Sequence, residues 1–130
     1  MIYELEGGNT KQQNIVVEAM SFVDPYLNLP DNVFIEVVLM PCSSSGCIDL
    51  EIDEDGDHNF LVEINTKQSL QEIVATVFHE LKHVEQTFNK RLDQMNWNGV
   101  DYTNTPYIDR PWEKEAYGFE EETCKQWSNR

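Results

Sequence analysis

Residues 79 to 83 read His-Glu-Leu-Lys-His. Two histidines four residues apart share one helix face, one turn apart, so both rings can reach a single metal ion. Glu80 sits beside the first histidine and projects to the side, where it can touch a water on the metal without being a ligand itself. Two neutral imidazoles, an open coordination position and a carboxylate that takes a proton are what zinc-dependent hydrolysis needs. The chain has only three histidines, so this spacing is a low-odds coincidence. The chemistry it points to is a Zn2+ centre with His79 and His83 as ligands and Glu80 as general base.

Such a motif has to sit on a helix, and the surrounding residues supply one over 69–89. Ser69 and Glu72 make an S-x-x-E capping box. Leu70, Ile73, Val74, Val77, Phe78, Leu81, Val84 and Phe88 then recur at helical spacing as one apolar stripe. In projection His79 lies opposite the centre of that stripe, with His83 about 40° further round. Ala75, Thr76 and Gln86 share their face. An apolar face backed by a small, metal-capable face predicts a helix sandwiched between a sheet and another layer.

The remaining elements follow from the same patterns. Residues 1–9 read as a short extended or irregular lead, punctuated by Gly7-Gly8. Ile15, Ala19, Phe22 and Val23 predict a helix over 10–23, ended by Asp24-Pro25. Residues 32–40, 48–53 and 60–64 predict three strands with short turns, the arrangement of an antiparallel meander. Residues 90–108 are polar and predict a long loop. Residues 110–127 predict a last helix with Asp109 as N-cap and Pro111 in its first turn. The sum is an α+β fold over a single domain, residues 1–130: N-terminal helix, small three-stranded mainly antiparallel sheet, H-E-x-x-H helix, long loop, C-terminal glutamate helix.

The two histidines need a third ligand. His58, the remaining imidazole, falls in an acidic hairpin turn and reads as a solvated turn residue. A carboxylate is the better choice, as in His2Glu catalytic zinc sites. The last helix offers Glu113, Glu115, Glu120, Glu121 and Glu122 beside an apolar stripe of Trp112, Ala116, Phe119 and Trp127. Glu113 and Glu115 flank that stripe on opposite sides. Glu113 shares its side with Tyr117 and Cys124, and Glu115 shares its side with Gly118 and Glu122. The less polar company favours Glu113, with Glu115 as the alternative.

His79-Glu80-x-x-His83, followed after a long loop by Glu113-x-x-Ala116, resembles the gluzincin metallopeptidases. The order of elements resembles their minimal members, the minigluzincins. The metzincin extension is absent, since Gln86 and Asn89 stand where that class has Gly and His. The gluzincin resemblance implies a zincin-like fold, a Zn2+ cofactor and peptide-bond hydrolysis. Its E-x-x-A-D or E-x-x-x-D pattern makes Glu113 the ligand. The pattern's Asp falls on Tyr117, so the contact that would steady one histidine is missing from the motif, and Glu115 stays the alternative. The resemblance also implies a peptide or protein substrate laid along a sheet edge as an added strand. Tyr107, Tyr117 and Arg110 lie close in sequence, and Tyr107 is the choice for an oxyanion donor. The competing reading is a non-catalytic or latent acidic zinc-binding interaction protein on a metallopeptidase fold. The presence of Glu80, which only catalysis requires, favours the enzyme.

Composition narrows the partners. Nine basic and 24 acidic residues among 130 give a net charge of −15. Such a surface repels phosphate backbones, which excludes nucleic acid as the expected partner. No apolar run has the length of a membrane span, and the first residues lack the pattern of a signal peptide, so the expected compartment is cytoplasmic. Three cysteines, Cys42, Cys47 and Cys124, are an odd count that argues against a disulfide framework.

Overall fold

The computed structural model describes residues 1–42, 50–52 and 59–130, with 50–52 described by backbone alone. His58, Cys47 and the turn expected before residue 59 lie outside the described residues. In chain order the elements are β1 (Ile2–Gly7), α1 (Thr10–Val23), β2 (Phe34–Met40), β3 (Leu50–Ile52), β4 (Asn59–Asn65), α2 (Leu70–Phe88), β5 (Leu92–Asp93), β6 (Asn96–Trp97), β7 (Val100–Asp101) and α3 (Pro111–Ser128).

The main sheet has four strands in the order β1-β2-β4-β3. β1, β2 and β4 run parallel, and only β3 is antiparallel, on the edge beside β4. The expected antiparallel meander is therefore wrong in strand number and in direction. Alternation along a strand records which face is buried but not which way its neighbour runs. The lead segment becomes β1 because α1 provides the long crossover that a parallel neighbour requires. Gly7 makes the tight exit from β1 possible. Its φ is +84°, and a Cβ there would meet the Leu39 carbonyl oxygen at 2.0 Å.

One sheet face is buried, through Ile35, Val37 and Leu39 of β2 and Phe60, Val62 and Ile64 of β4. Against it pack Val16, Ala19, Met20 and Val23 of α1 and Ile73, Val74, Val77, Phe78, Leu81 and Val84 of α2, while Leu70, the first residue of the expected stripe, is exposed. Both helices start on the caps their sequences carry. Asn9 and Gln12 cap α1, and Ser69 and Glu72 cap α2. α2 lies between β4 and α1 on its apolar side and α3 on the other, the sandwiched position its two faces predict. Phe22, Phe78 and Trp127 meet at centroid distances of 5.3 to 6.0 Å and tie the three helices together.

The expected loop over 90–108 contains a small antiparallel ribbon, β5-β6-β7. Asn98 and Gly99 both have positive φ, 49° and 84°, between the paired residues Trp97 and Val100. Asn-Gly at such a two-residue turn is the strongest short hairpin signal a sequence carries, and here it forms the turn. The ribbon leans on the start of α3. Trp97 and Tyr102 lie 6.5 and 6.0 Å from Trp112, and the Arg91 guanidinium lies over Trp97. α3 starts at Pro111 after Arg110, without a side-chain cap, and Asp109 sits in a preceding 3-10 turn instead of capping the helix. Proline at the first position already has a helical φ and no N–H to satisfy, so the cap is dispensable.

Cys42 is disulfide-bonded and Cys124 is a free thiol. An odd count thus did not exclude a bridge, since two cysteines can join and leave one over. No helix among the described residues is long and apolar enough to cross a membrane.

Candidate metal centre

α2 and α3 pack side by side, and their contact brings three donor atoms together. His79 Nε2 and His83 Nε2 are 3.1 Å apart, and Glu113 Oε1 lies 3.1 Å from the first and 3.0 Å from the second. All three residues are buried. Among the described residues they form the cluster able to hold a metal ion. Nitrogen and oxygen donors around a four-coordinate zinc lie roughly 3.3–3.5 Å from one another, so the set needs to open by only a few tenths of an ångström. Hydrogen bonds among the three do not exhaust their needs. A neutral His83 whose proton is on Nδ1 leaves its Nε2 and the Glu113 oxygen as two acceptors 3.0 Å apart. A shared cation, a metal ion or a proton on His79, relieves that opposition.

Each imidazole is held from behind. His83 Nδ1 lies 2.8 Å from Gln86 Oε1. His79 Nδ1 faces Glu120 Oε1 at 3.1 Å, close enough for an ionic contact but not aligned for a hydrogen bond. The sequence offers Glu120 only as one of five glutamates on the last helix, with Tyr117 in the position of the expected Asp. The signal was present, because Glu113 and Glu120 are seven residues apart and therefore share a helix face. Tyr117 packs its ring 4.5 Å from that of His79.

The charges are coupled. Burial pulls the His79 pKa down, but the carboxylates of Glu113 and Glu120 outweigh it and hold the ring up at about 9. Burial pushes Glu113 up, and its close contacts with His79 and His83 reverse this and bring it to about 2. Glu80 is within electrostatic reach of both histidines, and burial raises its pKa against their pull. Tyr107 donates its hydroxyl to Glu113 Oε1 at 3.1 Å. Burial, then Tyr117 and Glu113, push the Tyr107 pKa up, so it stays protonated.

Glu115 is occupied elsewhere. It accepts two bonds of 2.8 Å from Arg91 and one of 3.1 Å from Gln86. Arg110 donates to the Thr105 carbonyl and lies against the rings of Tyr107 and Trp112, 5.8 and 5.9 Å from their centroids. Compared with protein-family models, curated proteins and solved structures, the chain matches none of them.

Proposed function

We propose that this chain is a zinc-dependent metallopeptidase of the gluzincin type, with a zincin-like fold. The observation that carries the reading is the triangle of His79 Nε2, His83 Nε2 and Glu113 Oε1, with sides of 3.0 to 3.1 Å, built on H-E-x-x-H. Zinc held by these three residues would supply Lewis acidity, bringing a water's pKa towards neutrality and polarising a carbonyl. The two nitrogens and one oxygen are a borderline donor set that suits zinc better than magnesium or calcium, which prefer oxygen.

The chain's own residues divide the remaining work. Glu80, its pKa raised by burial, takes a proton from the attacking water and passes it to the leaving amine. Tyr107 keeps its proton and rests at the site on Glu113, from where its hydroxyl can turn to a developing oxyanion. β3 is the antiparallel edge of the sheet and packs near α2. Its outer edge, unpaired among the described residues, fits an extended peptide added as a further strand.

Elemental analysis of protein purified without chelators tests the reading. About one zinc per chain is expected, lost in Glu113→Ala and kept in Glu80→Gln, with hydrolysis of a generic protein substrate abolished in both. Zinc-free wild-type protein, unable to take up added zinc, would refute it.

A further inference from the structure

Gln86 is fully buried, one turn beyond His83 on α2. Its amide has one acceptor oxygen and two N–H donors. Both donors point at groups that can only accept: the Trp112 carbonyl and the Glu115 carboxylate, each at 3.1 Å. Two charge-assisted bonds of 2.8 Å from Arg91 keep Glu115 ionised. A flipped amide could give one N–H to His83 Nδ1, but it would set its oxygen against both acceptors at 3.1 Å and lose both of those bonds, so the orientation is determined. The oxygen must therefore face His83 Nδ1, 2.8 Å away, and can only accept from it.

We propose that Gln86, clamped by Glu115 and Arg91, is a positioning residue that selects the Nδ1–H tautomer of His83. It thereby presents the Nε2 lone pair to His79 and Glu113. The glutamate that competes with Glu113 for a ligand's role in the sequence becomes the anchor that orients a ligand. The consequence for metal affinity rests on the zinc reading above, but the tautomer does not, because it is a property of the metal-free chain.

Long-range 1H–15N correlation spectra of metal-free protein, taken where the His83 ring is neutral, read the tautomer directly. Wild type should show Nδ1 protonated and Nε2 bare. Gln86→Leu should shift His83 towards the Nε2–H form and weaken zinc binding, measured by chelator competition, by about 10–100-fold. Glu115→Ala leaves the Gln86 oxygen in place but frees its amide. It should give a mixture of tautomers and a smaller loss of affinity, and it supplies the readout if Gln86→Leu does not fold. An Nε2–H tautomer in wild type would overturn the proposal, as would an unchanged tautomer in the folded variant. A wild-type Nδ1–H tautomer lost in the variant, in a protein that binds no zinc, would support the role of Gln86 while removing the peptidase reading.

Discussion

Removing metal with a chelator should turn the contact between His79 and Glu113 into a pH-dependent source of stability. Folding raises His79 from 6.5 to about 9. Its contribution is therefore fully present below the unfolded value and is lost as pH rises through the folded one. Glu113 is carried from 4.5 to about 2, so its contribution is present above the unfolded value and lost as pH falls through the folded one. The two share the His79–Glu113 contact and are not added, and the His79 displacement also contains the pull of Glu120 and Glu80. His79 is only 7% exposed, so solvent screening removes little. At ~1.4 kcal/mol per pH unit, the displacement of His79 corresponds to ~3 kcal/mol. With a urea dependence of ~1.5–2 kcal/mol/M for a chain of this size, the wild-type midpoint should drop ~1.5–2 M further than that of His79→Gln between about pH 6 and about pH 10. Ionisation of lysines and tyrosines elsewhere is common to both proteins and cancels. With saturating zinc the trend should reverse, since ligation needs the neutral ring and zinc stabilisation grows across that window. Parallel decline of wild type and variant without metal would refute the coupling.

Glu115→Ala should keep about one zinc per chain while lowering stability by ~1–2 kcal/mol in urea titration, because Arg91 loses one of its two carboxylate partners and Gln86 loses an acceptor. Gly7→Ala should cost ~3 kcal/mol or more by the same measurement, from the positive φ and the clash with the Leu39 carbonyl. Glu120→Gln removes the charge facing His79 Nδ1 and should weaken zinc binding about 10-fold in chelator competition, leaving the fold intact by circular dichroism. Trp112→Ala should detach the ribbon from α3, with ~3–5 kcal/mol of destabilisation and loss of the Trp97 fluorescence environment.

What could be read in advance followed from how local each determinant is. The caps and stripe of α2 are written within 20 consecutive residues, and the helix appears where they place it. The choice of Glu113 over Glu115 came from the company each keeps on one helix, and α3 does turn Glu113 to the histidines and Glu115 to Arg91. Strand direction in the main sheet depends on pairing between β1, β2 and β4, which are far apart in sequence, so alternation within each strand could not reveal it. The ribbon was legible in Asn98-Gly99 and was obscured by the polar residues around it. Gln86 and Glu120 were invisible as supports for the histidines. Their significance lies in what they touch on a second helix, and glutamine and glutamate on a helix are ordinarily solvated.

The division of the cluster between α2 and α3 also bears on how the molecule assembles. Both imidazoles come from a helix packed on the sheet, while the carboxylate arrives on a segment 30 residues later. A chain that has formed the sheet and α2 but not docked α3 holds only two of the three donors. If the cluster takes up an ion, its complete capture, followed with a metal-sensitive dye during refolding, would therefore time one event: the arrival of the C-terminal helix.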